Sequence, residues 1–240
     1  LVLAALVRLS GVSIRELEPV LKAGEAEWLK TVKAAAPALT PAEAAELPDW
    51  LWQRLCTQYA ETEALLLARA LQNPAPLDLR VNTLLANRDA VLAAFAAEGI
   101  AAEAMPFSPF GVRLMKKVAL ERHPLFTSGK VEVQDEGSQL VGLLLAPRRR
   151  EMVVDFCAGA GGKTLLLGAM MASQGRLYAL DVAEKRLAQL GPRLKRSGLS
   201  NVHPALIASE NDARVKRLAG KADRVLVDAP CSGLGTLRRN

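Results

Sequence analysis

Cysteine, histidine and aromatic side chains are all scarce in this 240-residue chain. The three cysteines, Cys56, Cys157 and Cys231, are widely spaced and odd in number, which argues against a disulfide framework and for a reducing, cytoplasmic setting. With two histidines and no C-x-x-C pair the sequence offers no zinc site, and no metal is expected. No apolar run approaches the ~20 residues that a membrane-spanning helix needs. Residues 1–7 are apolar but few, are broken by Arg8, and read as part of a buried helix. What the chain does have is apolar bulk, half of its residues, and a net charge of +6. The first is enough to build a core for one large domain or two small ones. The second favours a polyanionic partner. The chain opens on Leu1 instead of Met and stops at Arg239-Asn240, so a piece of a longer protein is expected.

The most informative stretch is 152–164. Met152-Val153-Val154 is an apolar run ending in Asp155. The small-residue loop Cys157-Ala158-Gly159-Ala160-Gly161-Gly162 follows, and Lys163-Thr164-Leu165-Leu166-Leu167 opens a helix. Strand, glycine loop and helix in that order make a ligand cradle, because glycine lets backbone approach a ligand and a helix start offers free N–H donors. Three ligand classes compete for it. A phosphate-binding G-x-x-x-x-G-K-[ST] loop matches at Gly162-Lys163-Thr164, but Cys157 stands where its first glycine belongs. A dinucleotide G-x-G-x-x-G/A pattern matches at Gly159 and Gly161, but Thr164 stands where the third small residue belongs. S-adenosylmethionine, which has no pyrophosphate, tolerates a looser pattern.

Further strands repeat the scheme. Residues 176–181 end in Asp181, an acid placed either to accept from ribose hydroxyls or to cap the helix 183–195, or both. Residues 202–207 form a third strand, with Asp212 just beyond it. Residues 223–228 form a fourth, ending in Asp228-Ala229-Pro230-Cys231-Ser232-Gly233. Strands alternating with helices from Met152 onward imply an α/β fold, a Rossmann-like doubly wound parallel sheet with its ligand at the carboxyl ends of the strands. Asp155, Asp181, Asp212 and Asp228 would all lie on that edge. The helix 184–197 is interrupted at Gly191-Pro192, and Arg193, Lys195 and Arg196 are expected to make its exposed side basic.

Ahead of this sheet, residues 1–72 read as a helical region without chemistry. Its helical spacings include Leu17, Val20 and Leu21, then Trp28, Leu29 and Val32. After a small-residue linker at 34–41 comes a helix over 50–71, capped by Asp49 and striped by Trp52, Leu55, Tyr59 and Leu66. Asn73-Pro74-Ala75-Pro76 breaks the pattern, and residues 73–130 read as a small α/β subdomain: a strand at 77–83, a helix at 87–98 closed by Gly99, and one or two strands around Ser108-Pro109-Phe110-Gly111. The sheet domain is taken as 131–240, incomplete at its end, with Gln134-Asp135 capping a helix at 137–145. Two basic features stay open. Arg80 is either an RNA phosphate contact or half of a surface salt bridge. Arg148-Arg149-Arg150 is either a solvated turn or a phosphate contact.

From about residue 47 to 240 these segments resemble the S-adenosylmethionine-dependent RNA cytosine-C5 methyltransferases of the Sun/Fmu type, closest to the bacterial 16S rRNA branch. Residues 155–164 resemble that family's first cofactor motif and residues 228–233 its fourth. Arg80-Val81-Asn82-Thr83 matches a signature that precedes its catalytic domain. The resemblance implies S-adenosylmethionine as cofactor, held by residues 157–163, Asp181, Asp212 and Asp228, with Asp212 accepting from the adenine amino group; the other reading of Asp212 is a cap for the helix that follows it. It implies small-subunit rRNA as partner, and a monomeric protein is expected. It also implies catalytic roles for Lys163, Asp228 and Cys231. Cytosine C5 becomes nucleophilic only after a thiolate adds to C6. In the family that thiolate comes from a later Thr-Cys motif, and the Pro-Cys thiol assists product release. Cys231 is therefore given the release role, against an inert core thiol, and the attacking cysteine is expected beyond Asn240. Cys157 is expected to contribute its backbone. The competing readings are methylation of another acceptor on the same fold, against which the Pro-Cys argues, and a non-catalytic RNA-binding or assembly protein with a vestigial pocket.

Overall fold

The computed structural model describes residues 2–8, 10–35, 39–231 and 233, in two compact units, Leu1–Asn73 and Pro74–Asn240. Ser232 and part of the 34–41 linker lie outside the described residues.

The first unit is helical: α1 (Val2–Arg8), α2 (Ile14–Leu17), α3 (Glu25–Ala34), α4 (Pro41–Ala44), α5 (Asp49–Cys56) and α6 (Glu61–Gln72). Ser13 with Glu16, and Thr40 with Glu43, form capping boxes that satisfy the first-turn donors of α2 and α4. Two small cores result, one of Val7, Leu17 and Leu29, the other of Trp52 among Ala42, Ala45, Ala64 and Ala68. The single helix expected over 50–71 is two. The Thr57 hydroxyl donates to the Arg54 carbonyl at 2.7 Å, where α5 ends. The break rotates the later residues off the stripe, so Trp52 is buried but Tyr59 and Leu66 are exposed. Trp28 is also exposed, although its neighbour Leu29 is buried. Pro48, not Asp49, occupies the cap position of α5.

The second unit begins with an antiparallel sheet. Its elements are β1 (Leu77–Val81), α7 (Arg88–Ala97), β2 (Ala102–Ala104), β3 (Gly111–Leu114), the short α8 (Pro124–Thr127) and β4 (Val131–Val133), in strand order β2-β3-β1-β4. Asn87 caps α7, whose Val91 and Phe95 pack on Leu79, Val81, Val112 and Val131. Period-two alternation sends Asp78 and Arg80 to the opposite face. β4 pairs antiparallel with β1, so residues 131–133, expected in the catalytic domain, complete this sheet instead.

The parallel sheet follows: α9 (Glu136–Leu145), β5 (Met152–Asp155), α10 (Gly162–Met170), β6 (Arg176–Asp181), α11 (Glu184–Ala188), α12 (Leu190–Ser197), β7 (Val202–Leu206), α13 (Ala213–Leu218) and β8 (Arg224–Leu226), in strand order β7-β6-β5-β8. The expected interruption at Gly191-Pro192 appears one turn earlier. Pro192 has no N–H for the carbonyl four residues back, and α11 ends there, at Ala188. On one face Val153 and Leu177 pack against Leu167, Met171 and Val141. On the other, Val154 and Leu180 pack against Val215 and Leu218 of α13. The sheet is therefore doubly wound, as expected, and its order reverses between β5 and β8.

The two sheets are joined by polar residues. Arg80 is 1% exposed, which overturns both surface readings of it. It donates to the Gln134 side chain at 2.6 Å and lies opposite Glu132 in the β1–β4 register, and burial lowers its pKa to about 10. Asn82, in the same motif, donates to the carbonyls of Gly129 (3.1 Å) and Ser197 (2.9 Å). Gly129 has φ +73°, and a Cβ there would overlap the Arg196 carbonyl, so glycine is required. The basic side of α12 is also revised. Arg193 and Arg196 turn inward to Glu132, and of the three cations only Lys195 is exposed. Arg148–Arg150 precede β5, at the end of the sheet away from its carboxyl edge.

Asn82→Ala should leave two carbonyls without their side-chain donor and lower stability by about 2–4 kcal/mol, measurable by urea denaturation. A loss below about 0.5 kcal/mol would contradict its role in joining the sheets.

Candidate functional site

A cavity of about 980 Å³ opens at the carboxyl ends of the parallel strands. Residues after β5, β6, β7 and β8 form its floor, and the segment from β4 into α9 forms a side wall through Val133, Gln134, Asp135 and Ser138. This is where an open α/β sheet binds ligands, at the point where strand order reverses.

The loop after β5 is held by backbone bonds to both neighbouring strands. Phe156 N–H donates to the Leu226 carbonyl and Ala158 N–H to the Leu180 carbonyl, each at 2.9 Å. Gly161, at φ +85°, caps α10, and a Cβ there would collide with Leu190. The Gly159 N–H donates to Asp181 Oδ2 at 2.6 Å. Asp181 also accepts from Ala183 N–H at 2.7 Å, but it is not the cap of α11, a position taken by Ala183. It remains on the cavity wall with further acceptor capacity.

Asp155 ends β5 and is buried. Its Oδ2 accepts from the Thr164 hydroxyl at 2.6 Å, and its Oδ1 has no hydrogen-bond partner among the described residues. Burial raises its pKa to about 6, against the lowering effects of the Thr164 hydrogen bond and the Lys163 charge. Lys163 Nζ donates to Asp228 Oδ2 at 2.6 Å and reaches the Ser138 hydroxyl at 3.5 Å. Cys231 is exposed and lines the cavity two residues beyond Ala229. The Cys157 thiol is raised first by burial and then by the carboxylates of Asp181, Asp155 and Asp228, all of which oppose a thiolate.

Of the residues singled out from the sequence, Cys157, Ala158, Ala160, Gly162, Lys163, Asp181, Asp228 and Cys231 line one cavity. Gly159 and Gly161 act behind it, through backbone geometry. Asp212 does not line it. Its carboxylate accepts from Ala208 N–H at 3.0 Å and Arg214 N–H at 2.8 Å, which hold it below the usual carboxylate range, and it caps α13. The short turn after β7 instead puts Ser209 and Glu210 on the wall. Gln134 and Asp135, expected only as a helix cap, line the cavity as well, and Ser138, Arg186 and Glu210 line it without having been singled out. The only sequence signal for them was position: Glu210 just past a strand end, Arg186 one turn beyond Asp181.

The raised pKa of Asp155 has a sign. A carboxyl with a folded-state pKa of about 6, above its ordinary 3.8, takes up a proton on folding. Its stabilising contribution is complete below about pH 4 and is lost as pH rises through about 6. Relative to Asp155→Asn, the native chain should lose roughly 1–3 kcal/mol between pH 4 and pH 7 in urea denaturation. Parallel pH profiles for the two proteins would contradict this.

Comparison with known proteins places the chain in a family. A probable ribosomal RNA small subunit methyltransferase B from Synechocystis is 39% identical over 199 residues, covering 80% of this chain and 43% of that protein. The ribosomal RNA small subunit methyltransferase B of Sodalis glossinidius is 37% identical over 193 residues, covering 80% and 44%. The chain thus spans about two-fifths of the length of the curated relatives it matches. A crystal structure of a methyltransferase homolog protein from Pyrococcus horikoshii superposes with a TM-score of 0.73 at 29% identity, over 86% of this chain and 67% of that one. Residues 142–240 match the model for 16S rRNA methyltransferase RsmB/F, and residues 47–121 match the ferredoxin-like domain of the same family. With two of its domains present over most of the sequence, the chain belongs to the RsmB/F family of 16S rRNA methyltransferases.

Proposed function

We propose that the chain is the cofactor-binding part of an enzyme that methylates C5 of a cytosine in small-subunit rRNA, using S-adenosylmethionine. The observation that carries the reading is the convergence on one cavity of Asp155, Asp181 and Asp228 with Lys163 and Cys231. The cofactor carries two cationic groups at its methionine end, a sulfonium and an ammonium, beside one carboxylate, and is attached to a ribose and an adenine. The residues present fit it. Asp155 offers a buried carboxylate oxygen without a partner, a costly arrangement that an approaching ammonium would relieve. Asp181 offers a carboxylate beside the glycine loop for the ribose hydroxyls. Glu210, in place of Asp212, is the acid on the wall where the adenine amino group would lie.

When bound, the cofactor supplies an electrophilic methyl group. The chain's own residues hold the base against it. Asp228 accepts from the cytosine amino group, and Lys163, already paired with Asp228, fixes that carboxylate and donates toward the base or the cofactor carboxylate. A base drawn from structured RNA must first leave its stack to reach this cavity. In this reading a thiolate adds to C6, C5 takes the methyl, the C5 proton leaves and the thiol is eliminated. Cys231 is assigned the release role in this reading, with the attack on C6 left to a second cysteine thiolate. The net charge of +6 suits an RNA partner.

Asp181→Ala should weaken binding of S-adenosylhomocysteine at least tenfold in a calorimetric titration, by removing a ribose acceptor and the anchor of Gly159 together. Unchanged affinity would rule out the ribose assignment.

A further inference from the structure

The glycine loop is anchored on its far side by a residue that does not line the cavity. Arg193, on α12, donates through Nη1 to the Ala160 carbonyl at 2.7 Å. Its Nε and Nη2 donate to Glu132 Oε2 at 3.2 and 3.0 Å. The other Glu132 oxygen accepts from Arg196, and Glu132 is buried on β4 of the antiparallel sheet. One planar guanidinium therefore spans two acceptors, a loop carbonyl of one sheet and a carboxylate of the other.

We propose that Arg193 is a positioning residue: held by Glu132, it sets the conformation of the cofactor loop. Ala160 lies between Gly159 at φ +54° and Gly161 at φ +85°. Peptides flanked by glycines are free to pivot, so the loop needs an anchor on each side to keep one shape. Asp181 and the Leu180 carbonyl anchor its start, and Arg193 anchors its middle. A loop ordered before the ligand arrives spares the binding step that entropy. The anchor's own support comes from β4, whose neighbour β1 carries Arg80 against Gln134, itself on the cavity wall. The antiparallel sheet thus shapes the cofactor site as well as adjoining it. Lysine cannot replace this arginine, because an ammonium on a flexible stem does not span both acceptors in a fixed fork.

This inference rests on the reading of the cavity as an S-adenosylmethionine site, and one set of experiments separates the two. S-adenosylhomocysteine is titrated into the native chain, Asp181→Ala, Arg193→Lys and Glu132→Gln. Thermal unfolding and amide hydrogen exchange are measured on each without ligand. Arg193→Lys should keep its melting temperature within a few degrees, bind about tenfold more weakly, and show faster exchange at the amides of 158–161 with the β5 amides unchanged. Glu132→Gln, which keeps the shape and one acceptor, should weaken binding by a smaller factor. Arg193→Lys binding as tightly as the native chain, while Asp181→Ala does not, would overturn the positioning role and leave the site reading standing. Weaker binding by Arg193→Lys with unchanged exchange at 158–161 would also overturn it. A native chain that binds no S-adenosylhomocysteine would overturn both.

Discussion

The hydrogen bond from the Gly159 amide to the buried carboxylate of Asp181, 2.6 Å long, joins the ends of two neighbouring parallel strands. The cavity opens beside that joint. A parallel sheet brings all its carboxyl ends to one edge, so acids at successive strand ends become neighbours although they are far apart in sequence. Asp155, Asp181 and Asp228 meet in this way. Burial raises the pKa of Asp155 and of the nearby Cys157 thiol, and the crowded carboxylates add to both shifts by opposing further negative charge. Lys163 relieves part of this by pairing with Asp228. The rest remains as a site suited to a cation.

The opposite imbalance lies behind the loop. The buried Arg80 and the half-buried Arg193 and Arg196 bring three guanidiniums to the single buried carboxylate of Glu132 in the layer between the sheets, Arg193 and Arg196 by ion pairs and Arg80 from the register position opposite it. Such a layer is a weak source of net stability, since desolvation offsets the attraction. It is a strong source of register, because a planar fork accepts few arrangements. Together with Asn82, which bridges Gly129 and Ser197, it makes the Arg-Val-Asn-Thr segment the joint between the two sheets instead of a surface for RNA.

The parallel sheet was legible in the sequence because its signals are local. Apolar runs end in acids, a glycine loop precedes a helix, and each signal stands within a few residues of the next. The cavity-lining positions singled out from the sequence lie at those strand ends, in the loops that follow them, or in the first turn of the helix after the glycine loop. What was not legible depends on distant partners. The burial of Arg80 follows from strand alternation plus a Gln134 54 residues away, and the inward turn of Arg193 follows from a Glu132 61 residues away. Charge on a helix reads as solvated until its partner is located. The placement of β4 in the first sheet is likewise a long-range pairing that a three-residue strand does not announce. Asp212 and Glu210 differ by two positions in one turn, and only the capping geometry of α13 decides which of them faces the cavity.

The most direct test of the account is a crystal structure of the chain with S-adenosylhomocysteine. The account predicts the ribose hydroxyls on Asp181, the amino group of the homocysteine moiety within hydrogen-bonding distance of Asp155 Oδ1, and Ala160 still bonded to Arg193. A ligand bound elsewhere, or bound here with Asp155 Oδ1 still unpaired, would contradict it.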